Sequence, residues 1–335
     1  MKYNKHYNIP IFLPELACRN KCVFCNQRNI SGAHHIPSIQ DAQQIIETHL
    51  TTIPSSGIKQ IAFFGGNFTG LPIEQQKSFL LLAQSYIQKG LADSIRISTR
   101  PDYISENILR MLQSYGVKDI ELGAQSFDDE VLALSQRGHT SADIISAAKL
   151  IRTYHFKLGL QMMIGLPGDS YEKSMYTAQK IIDCKADTTR IYPCLVIADT
   201  ELANMYRQGK YTPQDVETAS QWIAPIYTLF SKHNIRILRI GLHPSKDFES
   251  SEILLAGPYH PSIKQIVLSQ IWKNRFAEKI KFQKGKLHIS VSAETLPYAI
   301  GYKSCNKQWL YETSGWVAFH TDTNITNNEF TYCYN

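Results

Sequence analysis

Between about residue 8 and residue 240, short runs of Ile, Val, Phe and Leu alternate with longer stretches whose apolar residues recur every three or four positions. Short β-branched runs bounded by turn formers read as buried strands, and the three-and-four spacing reads as amphipathic helix. Strands are expected at Ile9 to Leu16, Ile58 to Phe64, Ser94 to Ser98, Lys118 to Leu122, Lys157 to Met163 and Thr188 to Tyr192. Helices are expected between them at Ser38 to Thr52, Glu74 to Lys89, Glu106 to Ser114, Ala142 to Tyr154 and Glu172 to Asp183. Pro213 to Lys232 adds a longer helix and Arg236 to Ile240 a seventh strand. Strand and helix in strict alternation predict an α/β fold with a parallel sheet wrapped by helices.

The rhythm changes beyond Ser245. A helical stretch from Ser262 to Ile280 precedes strand candidates at Lys286 to Val291, Gly315 to His320 and Glu329 to Tyr334, with Thr321 to Asn328 reading as a turn-rich connection. Two regions are therefore expected, a strand-helix region over 1–244 and a small α+β extension over 245–335.

Composition narrows the classes. The chain has 335 residues, 43% hydrophobic and 19% charged, which suits a globular core and excludes disorder. Lys2 and Lys5 precede an apolar stretch, Ile9 to Leu13, that Pro10 and Pro14 interrupt, unlike a secretory leader. No run is long enough to span a membrane, so a cytoplasmic protein is expected. The net charge of +6 suits a polyanionic partner such as RNA and equally an ordinary basic surface.

Three of the seven cysteines, Cys18, Cys22 and Cys25, crowd into one short loop after the first strand. Cys184, Cys194, Cys305 and Cys333 are scattered, so neither a disulfide framework nor a second cluster is expected. Three thiolates suit an iron-sulfur cluster with one iron left open, as a catalytic metal site requires. The same trio with His34 or His35 would suit zinc, and as plain buried thiols they would pack like small hydrophobes. Polar and glycine-rich segments follow the next strands: Gly65-Gly66-Asn67, Ser98-Thr99-Arg100-Pro101, Gln125-Ser126 and Gly165-Leu166-Pro167-Gly168. In parallel α/β folds the C-terminal strand ends share one face, so these segments should share a mouth with the cysteines. Met162 and Met163 read as core, Tyr192 as core or substrate-facing, and His139, His243 and His260 as proton carriers or ordinary hydrogen-bonding residues.

The segment Cys18-Arg-Asn-Lys-Cys22-Val-Phe-Cys25, with aromatic Phe24 before the last cysteine, resembles the signature of the radical S-adenosylmethionine (SAM) superfamily. Gly65-Gly66-Asn67 resembles its GGE-type motif, with Asn67 in place of the common Glu. Most of residues 8–240 is similar to the radical SAM portion of the Elongator complex catalytic subunit. That likeness is carried by Phe63 to Phe68, Ser98 to Tyr103, Glu121 to Ser126, Arg137 to His139 and Tyr192 to Ile197. The cysteines are spaced more closely than in that subunit, as in a short-form relative.

The resemblance implies a partial (β/α)6 TIM-like barrel. It further implies a 4Fe-4S cluster on Cys18, Cys22 and Cys25, a bound SAM and an external electron donor. In that superfamily the reduced cluster cleaves SAM to a 5′-deoxyadenosyl radical that removes a substrate hydrogen, while the protein binds and orients. By position, Gly65, Gly66 and Asn67 would meet the SAM amino group. Gln125, Ser126 and Arg137 resemble SAM contacts of the coproporphyrinogen-dehydrogenase-like branch, with Arg137 on the carboxylate. Ser98 stands where relatives place a glutamate for the ribose, with Arg100 beside it to compensate or to face the substrate. Gln161 would point into the mouth, and Gly165 and Leu166 would lie under the adenine. The region after Ser245 is short for the Elongator acetyltransferase domain and lacks an acetyl-CoA pyrophosphate signature, so that activity is not expected. Three readings stand: a radical SAM enzyme on tRNA or another RNA, the same chemistry on a small molecule, and a non-catalytic iron-sulfur or zinc protein that binds RNA.

Overall fold

The computed structural model describes residues 5–13, 18, 21–26, 35–242, 252–326 and 328–335. Its strands β1 (His6–Leu13), β2 (Ile58–Gly65), β3 (Ser94–Thr99), β4 (Val117–Gln125), β5 (Lys157–Ile164) and β6 (Thr188–Pro193) pair in parallel in that order. Past β6 the short β7 (Val196–Ile197) leaves the sheet, and β8 (Arg236–Ile240) closes it as the seventh strand. The helices between are α1 (Ile39–Thr52), α2 (Ile73–Gln88), α3 (Glu106–Ser114), α4 (Asp129–Leu134), α5 (Ser141–Thr153), α6 (Tyr171–Asp183), α7 (Glu201–Arg207) and α8 (Val216–Lys232). Their starts follow from capping chemistry: Ser38 with Asp41 and Thr140 with Asp143 form capping boxes, and Ser105, Ser170 and Asp215 cap singly. Asp215 explains why α8 begins at Val216 rather than at Pro213, since its side chain accepts the Thr218 N–H at 2.7 Å.

The sheet is polar on one face and apolar on the other. Ile61, Phe63, Ile95, Ile97, Ile120, Leu122, Leu158, Leu160 and Ile191 pack under the helices in the main core. The alternate residues, Gln60, Arg96, Asp119, Glu121, Gln161 and Arg190, bond to one another across neighbouring strands on the concave face of the half-barrel. Period-two alternation is what sorts them. Gly159 sits between β4 and β6, where an added Cβ would lie 2.9 Å from Thr188 Oγ1 and 3.0 Å from Glu121 Cγ.

Short β9 (Leu254–Ala256) pairs antiparallel with β7, and helix α9 (Ile263–Lys279) follows. The chain then builds β10 (Gly285–Val291), α10 (Leu296–Ile300), α11 (Cys305–Ser314), β11 (Gly315–Thr321) and β12 (Phe330–Tyr334). A three-stranded sheet of order β11-β10-β12 covers a second core of its own. Helix α9 belongs to both cores, giving Ile263, Val267 and Ile271 to the first and Trp272 and Phe276 to the second.

Every strand and long helix expected from the pattern is present. Strand β1 runs from His6 and ends at Leu13, with residues 14–17 outside the described residues. Helices α4, α7, α10 and α11 and the β7–β9 pair were not expected. Most of them are too short for hydrophobic periodicity to register.

Candidate active site

The glycines after β2 let the first two strand ends close on each other. Gly65 has φ +102°, and a Cβ there would lie 2.5 Å from the Leu13 carbonyl oxygen. Gly66 N–H donates to that same carbonyl at 2.5 Å. Asn67 is turned inward and 1% exposed, its Oδ1 accepting from Thr99 Oγ1 at 2.6 Å and from the Arg100 N–H at 3.3 Å. Both lone pairs of that oxygen are thereby used, and the ends of β2 and β3 are tied together.

The cysteine loop is anchored by backbone bonds. Val23 N–H donates to Ser135 O at 3.2 Å, Leu202 N–H donates to Val23 O at 2.8 Å, and Cys25 N–H turns back onto Cys22 O at 3.0 Å. Val23 is buried with Val131, Leu166, Val196 and Leu202, and Phe24 packs against that cluster. Arg137, just past α4, joins the loop to the sheet: Nη1 donates to Cys22 Sγ at 3.0 Å and Nη2 to the Gly123 carbonyl. Burial raises the Cys18 thiol above its usual range, while the positive charges of Arg100 and Arg137 oppose that rise.

Arg100 pairs with Asp102 through Nε at 2.9 Å and Nη2 at 3.0 Å, and Nη2 also donates to the Arg137 carbonyl. His139 lies in the same group, its Nδ1 3.9 Å from Asp102 Oδ1. Burial, then the charges of Arg137 and Arg100, push its pKa down to about 4. Among the described residues, the buried polar atoms of this group without a hydrogen-bond partner include Ser98 Oγ, Arg100 Nη1, Gln125 Oε1 and Arg137 Nε. Gln125 adopts a left-handed φ of +66° at the end of β4, whereas Ser126 is occupied locally, bonding to Thr177 Oγ1 at 3.3 Å and to the Asp128 N–H at 3.1 Å.

Past β5, Gly165 has φ +71°; its N–H donates to Asp169 at 2.8 Å and its carbonyl accepts the Tyr211 hydroxyl at 2.6 Å. Leu166 is buried beneath it. Gln161 lies on the concave face and donates to Glu121. His34 and His243 lie outside the described residues. The ionic network of Arg96, Asp119, Glu121 and Arg190, together with Asp102, Asp169 and Tyr211, was missed from sequence. Its signal was the polar-apolar alternation of Ser94 to Ser98 and of Asp119 to Leu122.

The chemistry of these residues fits an iron-sulfur cluster and a zwitterionic ligand. The Cys18 and Cys22 thiols lie near the Arg100 and Arg137 guanidinium groups, Cys25 follows in the same loop, and donors and acceptors unpartnered among the described residues line the adjoining strand ends. Among the described residues no three thiol, imidazole or carboxylate groups converge into a ready metal shell.

A half-barrel with thiols past its first strand and polar groups past the next four is the architecture of a barrel enzyme with its site at the strand ends. Comparison with known families matches residues 16–181 to the radical SAM superfamily and residues 186–273 to the radical SAM C-terminal domain. The chain belongs to the radical SAM superfamily. It is 27% identical to a tRNA uridine(34) acetyltransferase of Methanocaldococcus jannaschii over 83% of this chain and 54% of that protein. It is 26% identical to Elongator complex protein 3 of Saccharomyces cerevisiae over 51% of this chain and 34% of that one. The fold matches the archaeal Methanocaldococcus infernus Elp3 with an N-terminal deletion at a TM-score of 0.65. That match has 23% identity and covers 81% of this chain and 64% of that structure. The chain spans about half the length of the first of these relatives. No helix among the described residues is long and apolar enough to cross a membrane.

Proposed function

We infer that the chain is a radical SAM enzyme acting on RNA, with tRNA the first candidate. Cys18, Cys22 and Cys25 would hold a 4Fe-4S cluster, which together with SAM supplies a radical able to remove a substrate hydrogen. The observation that carries this reading is Arg137, whose guanidinium reaches from the β4 end to the Cys22 thiol and so joins cluster loop and SAM mouth. Its Nε and Arg100 Nη1, both without a hydrogen-bond partner among the described residues, suit the SAM carboxylate. Ser98 Oγ and Gln125 Oε1 suit hydroxyl and amino groups, and the backbone of Gly65 and Gly66 lets a ligand approach closely. Asn67 Oδ1 positions Thr99 and Arg100. RNA as substrate is supported by the tRNA-directed name of the archaeal relative and by the net charge of +6.

Anaerobic reconstitution with iron and sulfide, then incubation with SAM and a low-potential reductant, should yield 5′-deoxyadenosine. Cys22→Ala should lose the iron, the sulfide-to-iron absorption and the 5′-deoxyadenosine together. A wild-type protein that loads only zinc, or loads iron and forms no 5′-deoxyadenosine, would overturn the enzyme reading. Added tRNA that neither binds nor changes mass would overturn the RNA reading alone.

A further inference from the structure

None of the candidate SAM-site residues belongs to the second core. There, Trp272, Phe276, Leu287, Ile289, Leu310 and Val317 pack a sheet against helices. The order of elements is strand, short helix, tight turn, helix, strand. Strands β10 and β11 lie side by side and parallel, in register from Gly285–Gly315 to Val291–Thr321. Strand β12 runs antiparallel on the other side of β10 and leaves β11 as an edge.

The turn joining α10 to α11 is Gly301-Tyr302-Lys303-Ser304. Gly301 has φ +90°, and a Cβ there would meet Cys305 Sγ at 2.6 Å and Asn306 N at 2.8 Å, so glycine is required. Lys303 (φ 50°) and Ser304 (φ 62°) are both left-handed, a conformation that side chains other than Asn and Asp seldom adopt. The base of the turn is pinned to α9: Tyr302 N–H donates to Ser269 Oγ at 2.8 Å, and buried Asn306 Nδ2 donates to Ser269 O at 2.9 Å. The tip is open, with Lys303, Ser304 and, one turn into α11, Lys307 all exposed. Residues 295–311 contain these two lysines and no carboxylate.

A strand-helix-turn-helix-strand unit whose helix-helix turn reads Gly-x-x-Gly is the plan of the KH module, which clamps the sugar-phosphate backbone of a single strand in that turn. Here the first glycine is Gly301, and Ser304 holds the left-handed conformation that the second glycine would take. We propose that residues 263–335 form a KH-like module that binds single-stranded RNA, gripping its phosphates with the Gly301–Ser304 turn, Lys303 and Lys307 beside the open edge of β11. The proposal deepens the RNA reading above and rests on it for the choice of polymer, while the grip itself is testable without cluster or SAM.

The test uses the full chain and fluorescence anisotropy with a labelled oligouridylate about 12 nucleotides long, against an RNA duplex of the same length. Wild type should bind the single strand more tightly than the duplex. The double variant Lys303→Asp, Lys307→Glu should weaken single-strand binding about tenfold or more and flatten the salt dependence by about 0.7 per lysine in log-log slope. Its circular dichroism and melting temperature should match wild type, because aspartate tolerates the left-handed position. Ser304→Gly should keep binding and melt no lower than wild type. Equal affinity for duplex and single strand, no binding of the single strand at low salt, or an unchanged salt slope in the double variant would each overturn the module. Lost binding in the double variant from a chain that forms no 5′-deoxyadenosine would leave the module standing and the enzyme reading fallen. Modification of tRNA by a double variant that binds normally would do the reverse.

Discussion

Glu121 shows how a single side chain can organise the concave face of this barrel. It is 1% exposed, with Arg96 Nη1 at 3.0 Å, Arg190 Nε at 2.7 Å and Gln161 on its remaining lone pairs. Burial works against its charge, and Arg190 and Arg96 overcome that penalty, so its pKa lies below the usual carboxylate range. Removing the charge takes the carboxylate from buried Arg190 and one of two from buried Arg96, which keeps Asp119 at 2.9 Å. Glu121→Gln should therefore cost roughly 3 to 5 kcal/mol of stability, read from urea unfolding. A loss near zero would mean that water replaces the carboxylate. The cysteines, Gly65, Gly66 and Arg137 were legible in the sequence because motif spacing carries them. Glu121 was not, because a charged residue inside a strand signals a polar face without naming its partner, and the partners come from three other strands.

At the scale of elements, the seven-strand order and the long helices were legible because buried parallel strands and amphipathic helices leave periodic traces over many residues. The helices that escaped notice are short and defined by their caps and turns instead: α4 by Asp128, α7 by Thr200, and the α10–α11 pair by Gly301. The last of these is open to direct test. Gly301→Ala would drive a methyl group into Cys305 Sγ and Asn306 N at a backbone angle that disfavours alanine. Amide exchange should then accelerate across α10, α11 and β11 while the exchange of β2 to β5 stays as in wild type. Uniform acceleration would show that the two cores open as one unit.

For the whole molecule, two buried groups pull acid stability in opposite directions. Folded His139 titrates at about 4 against 6.5 when unfolded, so the stability it contributes is present above about pH 6.5 and is lost as pH falls towards 4. Burial raises Asp169 to about 6 against 3.8, so the folded state binds the extra proton and gains stability as pH falls through that same window. In the wild type the two trends offset. His139→Gln should remove the first, and its melting temperature should rise relative to wild type between pH 6.5 and pH 4. A pH-independent difference between the two proteins would rule out His139 as the opposing group. Both cores meet in α9, a 17-residue rod of about 25 Å that starts in one and ends in the other. A strand gripped at the Gly301 turn, which is pinned to Ser269 within that rod, would be offered to the barrel at a set reach, so the nucleotide chosen for chemistry would be picked by counting along the chain from the grip, as a ruler picks a mark.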